Sequence, residues 1–197
     1  RQPHRRPKDI FSEPEIALLD SLPLPVGPLW TLLFYTGLRR SEARHLQRRH
    51  VDLAREKLMV YQGKGGKDRI IGIGWTRSDG VQPVLQAVAE LELAEGLRPE
   101  DHLWYSKPGG GRRIARRDPV GDTTFENWYK RGISAAGVRY LNPHQTRHSF
   151  GWRTREWGLD IEERKVQMGH ESIKTTETYY GRLTVDDVVR RIAEIRI

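Results

Sequence analysis

Apolar residues recur with a helical period along most of the chain and with a strand period in one short stretch. Ser12-Glu13-Pro14-Glu15 has the form of a capping box with proline in the first turn, and Ile16, Leu18, Leu19 and Leu22 follow it. A short helix is expected there, stopped by Pro23 and Pro25. The run from about Pro28 to Thr36 predicts a second helix ending at Gly37, and a third is expected over Ser41 to Arg48. Residues 51–73 change character. Lys57-Leu58-Met59-Val60-Tyr61 and Asp68-Arg69-Ile70-Ile71-Gly72-Ile73 read as two strands, and Gly63-Lys64-Gly65-Gly66 between them predicts a hairpin. Helical patterns return at 81–95, near 122–136, at about 144–156 and at 161–167. Thr184 is placed to cap a last helix, over 184–196, whose Val185, Val188, Val189 and Ile192 make one apolar stripe. The stretch from Lys107 to Asp118, with five basic residues and one acid, reads as a loop. The sum is an α+β domain, mainly α-helical, with a small antiparallel β-sheet.

Length and charge narrow the class. The 197 residues fit one globular domain. Lys and Arg number 34 against 26 Asp and Glu, a net +8 that favours a polyanionic partner, nucleic acid or an acidic membrane surface. The absence of cysteine excludes disulfide scaffolds, zinc ribbons and thiol nucleophiles. The longest apolar stretch, Leu29 to Tyr35, is far short of the roughly 20 residues a membrane span needs. A soluble, cytoplasmic protein is therefore expected. Residues 1–10, basic and broken by prolines, read as a linker remnant ahead of a domain at 11–197.

Four short motifs carry candidate chemistry. On a helix, His144, Arg147 and His148 share one face, and three such groups repel one another unless an anion sits among them. A solvated basic face explains the triplet as well. Zinc fits poorly, because Gln145 stands where a His-Glu-x-x-His metalloprotease has its glutamate. In Thr36-Gly37-Leu38-Arg39-Arg40-Ser41-Glu42, Arg39 is aimed from the turn that ends one helix and opens the next, and Glu42 is placed to hold it. An ordinary surface ion pair is the plain alternative, and Arg40 reads as surface. Lys64 sits at the tip of a glycine-rich turn where backbone and ammonium could approach a phosphate, or where a basic hairpin simply turns. Last, Gly169-His170 precedes Tyr179 by nine residues. A phenol beside clustered cations can attack phosphorus, whereas tyrosines at a helix end usually pack.

Taken in order, Thr-Gly-Leu-Arg39-x-x-Glu42, Gly-Lys64-Gly-x-Lys67-x-Arg69, His144-x-x-Arg147 and Gly-His170 with Tyr179 nine later resemble the tyrosine recombinase family, which includes the phage integrases. The likeness runs from about Phe11 to the end. It implies an integrase-like catalytic fold and a site-specific strand transfer on double-stranded DNA that uses neither metal nor nucleotide cofactor. By that resemblance Tyr179 attacks a phosphodiester to form a 3′-phosphotyrosine, and Arg39 and Arg147 hold the non-bridging oxygens. Lys64 protonates the leaving 5′-oxygen, His144 assists proton transfer, and His170 bonds the phosphate. Lys67, Arg69, Arg112, Arg113, Arg116 and Arg117 become candidates for DNA-backbone contacts. The resemblance further implies a separate DNA-clamping domain, absent from this chain, and a homo-oligomer, a tetramer on paired sites. The helix over 184–196 could join protomers or fold back on its own body. Two positions depart from the usual pattern, Thr146 where leucine is common and His50 where aspartate is, and Tyr180 competes with Tyr179 as nucleophile. A topoisomerase-like relaxing enzyme and a catalytically silent DNA-binding module of the same fold are the alternatives.

Overall fold

A helix that is apolar all the way round has to lie inside, because no face of it gains from water. Helix α2 (Val26–Thr36) is of this kind: every residue from Gly27 to Thr36 is buried. The computed structural model describes residues 10–61, 68–105, 118–169 and 184–197. Around α2 pack α1 (Glu13–Asp20), α4 (Pro83–Glu95), α5 (Asp122–Ala135) and α6 (Pro143–Glu156). Edge-to-face and stacked rings join Phe11, Trp30, Phe34, Tyr35, Trp157 and Trp75 into a continuous aromatic core. No helix among the described residues is long and apolar enough to cross a membrane.

The expected helices are present, with two instructive shifts. Helix α2 begins at Val26, two residues before the expected Pro28, because a first-turn proline has no helical N–H bond to lose. Helix α3 (Arg40–Arg44) is shorter than the expected span to Arg48. Beyond it the chain unwinds to pair with residues 101–103: Arg48 N donates to Asp101 O at 2.9 Å and Leu103 N to Leu46 O at 2.9 Å. A 3-10 turn (Arg48–His50) then leads into the sheet.

That sheet has three antiparallel strands in the order β1 (Val51–Asp52), β2 (Lys57–Val60) and β3 (Arg69–Gly72). The β2–β3 pair was expected; the two-residue β1 was not. Val51 faces Leu58, Leu58 faces Ile71, and Val60 faces Arg69, so all of these side chains share the face turned to the core.

The opposite face is covered by α8 (Val185–Glu194), whose Thr184 cap accepts from Asp187 N at 3.2 Å. Its Val188, Val189 and Ile192 are buried on the chain's own β3. A side chain at Gly72 would come within 2.8 Å of Ile192 Cδ1, so the glycine lets this helix lie close on the strand. Helix α7 (Ile161–Met168) closes the outer edge of β3. There Gln167 Oε1 accepts from Gly72 N at 3.0 Å and its Nε2 donates to Gly72 O at 2.7 Å, standing in for a further strand.

Candidate active site

Three segments meet where α2 ends. Gly37 closes that helix in the left-handed conformation, φ 64°. A Cβ there would lie 2.4 Å from Phe150 Cδ1, so glycine is required both for the turn and for the close approach of α6. Arg39 follows in extended backbone and opens α3, with Glu42 at the third helical position. Glu42 reaches back: Oε2 accepts from Arg39 N at 2.8 Å and Oε1 from Arg39 Nη1 at 2.7 Å.

Glu42 also receives a second guanidinium. Arg69 Nη1 and Nη2 donate to its two oxygens, each at 2.9 Å. Burial pushes the Glu42 carboxyl up, since its side chain is 4% exposed. The Arg69 fork, the Arg39 amide and the nearby positive charge outweigh that and hold it at about 2. Arg69, expected among the DNA-backbone contacts, thus has its guanidinium turned inward and committed to a carboxylate. Arg39 spends one nitrogen on Glu42 and remains 29% exposed.

Arg147 comes to the same place from α6. Asn142 caps that helix, its Oδ1 accepting from His144 N and Gln145 N at 3.0 Å each. One turn on, the buried Arg147 guanidinium donates through Nη1 to Gly37 O and through Nη2 to Met168 O. These carbonyls orient it without neutralising it. Burial, then the charges of Arg39 and Arg69, lower its pKa to about 10, which leaves it protonated at neutral pH. His144 is lowered too, first by burial and then by His148, Arg147 and Arg39. Its Nε2 lies 3.1 Å from His148 Nε2, a separation at which one imidazole donates to the other and a single proton serves both.

The geometry therefore unites Arg39, Glu42, His144 and Arg147, with Arg69 and His148 beside them. Among the described residues the cluster holds three guanidinium groups and two imidazoles against one carboxylate, Glu42. Such an excess of fixed positive charge, near the amino end of a 14-residue helix, suits an anion. Lys64, Lys67, Arg112, Arg113, Arg116, Arg117, His170 and Tyr179 lie outside the described residues. Gly169, next to His170 in the chain, takes φ 63°, and a Cβ on it would lie 2.5 Å from Arg69 Cδ. Arg40 is a surface residue as expected, paired with Asp122 and Glu126 at 3.1 and 3.0 Å. Of the two departures, Thr146 is core, its Oγ1 2.6 Å from Tyr129 Oη, and His50 packs on the Tyr61 ring. Neither enters the cluster.

The model of the phage integrase family matches residues 10–185. The chain belongs to that family. Among curated relatives, the tyrosine recombinase XerD of Vibrio cholerae serotype O1 is 31% identical over 186 residues, which cover 90% of this chain and 58% of that protein. Among solved structures, the crystal structure of XerA recombinase superimposes with a TM-score of 0.67 at 27% identity, covering 96% of this chain and 65% of that one. XerH site-specific recombinase bound to a difH substrate, in a pre-cleavage complex, shares the fold with a TM-score of 0.57 at 19% identity, covering 81% of this chain and 45% of that one. The integrase-family domain thus spans little more than half the length of the curated relative it matches.

Proposed function

We propose that this domain breaks and rejoins double-stranded DNA at specific sites, through a covalent 3′-phosphotyrosine. Tyr179 Oη attacks a backbone phosphorus, the P–O5′ bond breaks, and the 5′-oxygen leaves as a hydroxyl. That hydroxyl, or one from a partner strand, later attacks the phosphotyrosine and frees the phenol. The phosphoester bond is exchanged rather than hydrolysed, so no nucleotide is consumed. Arg39 and Arg147 bind the non-bridging oxygens and stabilise the charge that builds on them. His144 takes part in moving the phenol proton, Lys64 protonates the 5′-oxygen, and His170 bonds the phosphate.

The observation that carries this reading is the positive cluster of Arg39, Arg147 and His144, in which the buried Arg147 has no carboxylate ion-pair partner among the described residues, set beside membership of the integrase family. A protein that merely rests on DNA has no need to bury an arginine without an acid to pair it. Paired DNA sites and a homotetramer belong to the same proposal. Val188, Val189 and Ile192 already lie on β3, so assembly through α8 would first have to lift that helix off.

A nicked duplex carrying the recognition site tests the reading, because loss of the short 5′ fragment strands the intermediate. The expected result is an SDS-stable protein–DNA adduct that forms in EDTA and disappears in Tyr179→Phe. An adduct that survives Tyr179→Phe and is lost in Tyr180→Phe moves the nucleophile by one residue; no adduct with any variant refutes the reading.

A further inference from the structure

Arg69 is a basic residue at the start of a strand, and surface chemistry would send it to solvent. Its register sends it inward instead. It pairs opposite Val60 and stands on the same face as Ile71, so its stem enters the core and its side chain is 13% exposed. Nη1 and Nη2 form a fork on Glu42, and the stem lies flat against Gly169. Nη1 and Nη2 are thus committed to Glu42, and the third nitrogen, Nε, is buried away from solvent.

The same carboxylate holds Arg39, which makes Glu42 the shared partner of two arginines with different freedoms. Arg39 gives it one nitrogen and keeps the rest of its guanidinium for another ligand. Two consequences follow from elementary electrostatics. With both oxygens engaged by a planar fork, the Glu42 carboxylate has one orientation, and so has the nitrogen of Arg39 bonded to it. Moreover, Arg69 cancels the negative charge of Glu42. Without it, Glu42 would draw on the charge of Arg39 and weaken its hold on the extra negative charge that builds on the phosphate in the transition state.

We propose that Arg69 is a positioning residue: acting through Glu42, it orients Arg39 and keeps the positive charge of Arg39 available to the DNA phosphate. This rests on the strand-transfer reading above. It assigns Arg69 to the rate of the chemical step rather than to DNA affinity, and the two are separable. A residue touching the DNA backbone contributes to Kd and about one to the salt slope. A residue that aligns a catalytic group contributes to the rate at saturating DNA, where a misplacement on the order of 1 Å costs up to about a hundredfold.

The experiment uses the full chain and a nicked duplex selected from random sequence by recovery of the wild-type adduct. For wild type, Arg69→Gln and Arg69→Lys, it measures Kd across a salt series, the single-turnover adduct rate at saturating DNA, and thermal stability. Arg69→Gln is expected to slow the saturated rate by about tenfold to a hundredfold, with Kd within about twofold and the salt slope unchanged. Arg69→Lys, which keeps the charge and loses the fork, should recover part of that rate. Glu42→Gln combined with Arg69→Gln should be no slower than the slower single variant, because both act through one contact. The proposal is overturned if Arg69→Gln lowers affinity and salt slope while the saturated rate stays at the wild-type value. It is equally overturned if the lost rate returns in full once the variant is cooled to where it is completely folded. Wild type that forms no adduct on any duplex overturns the strand-transfer reading and this inference together. An active wild type matched by Arg69→Gln removes only the inference.

Discussion

Arg147 and Arg153 stand six residues apart on one helix, and both are buried, at 5% and 1% exposure. Their partners differ in kind. Arg153 donates to the carboxylates of Glu13 and Glu156 and, through Nη2, to Phe11 O at 2.9 Å, so its charge is neutralised and it staples the start of the domain to α6. Arg147 donates to two backbone carbonyls, and among the described residues no carboxylate forms an ion pair with it. Its nearest charged neighbours include Arg39 and Arg69, and their repulsion adds to burial in lowering its pKa. The contrast teaches that burial does not mark a functional arginine. Under the proposed reading, what marks Arg147 is burial with no carboxylate partner among the described residues, a cost of folding that an arriving phosphate would offset.

The sharpest way to break this comparison is to remove each arginine in turn. Arg147→Gln is expected to lower the saturated rate of adduct formation by about a hundredfold or more, the worth of one oxyanion donor, in a single-turnover assay. Arg153→Gln should do the reverse. Urea unfolding is expected to show a loss of about 2–3 kcal/mol, with the adduct rate of the folded protein within about threefold of wild type. If the two variants fail in the same way, the distinction between them is wrong.

A smaller effect should sharpen the picture of the cluster's charge. His144 is held below the ordinary imidazole value partly by His148. If His144 takes the phenol proton as proposed, it must be unprotonated to do so, and a low pKa lets activity persist as pH falls. His148→Asn removes one source of repulsion, raises the His144 pKa and should move the acid limb of the pH–rate profile to higher pH. An unmoved limb would separate His144 from proton transfer. The smallest effect is a control away from the cluster. Burial, then the charges of Arg49 and His102, lower His50 to about 4. Below pH 6.5 the unfolded chain takes up a proton there that the folded chain refuses until about pH 4, so stability should fall between those values. His50→Gln should flatten that part of a plot of Tm against pH without changing the adduct rate at neutral pH.

Much of this was legible in the residues, for reasons that also explain what was not. Helix α8 could be read because its stripe and its Thr184 cap are local signals, and Gly37 could be read because a left-handed stop favours glycine. Sequence alone left open where the α8 stripe would dock; it lies on the chain's own β3. Strand β1 and the early end of α3 were hidden because they depend on pairing with distant segments rather than on periodicity. The turn motif showed that Glu42 could hold Arg39, but not that Arg69 would join them. The clue was there in the strand alternation, which puts Arg69 on the same side as Ile71. The partners of Arg147 were beyond reach, since a backbone carbonyl has no residue type to recognise.

The central claim is that uncompensated positive charge, carried above all by Arg147, is matched to a charged phosphodiester. The most direct measurement compares Arg147→Ala with wild type on two nicked duplexes, one with the natural phosphodiester at the cleaved position and one with an uncharged methylphosphonate. The account predicts a large deficit for the variant on the phosphodiester and a much smaller one on the methylphosphonate, where there is less negative charge to stabilise. An equal deficit on both substrates would contradict it.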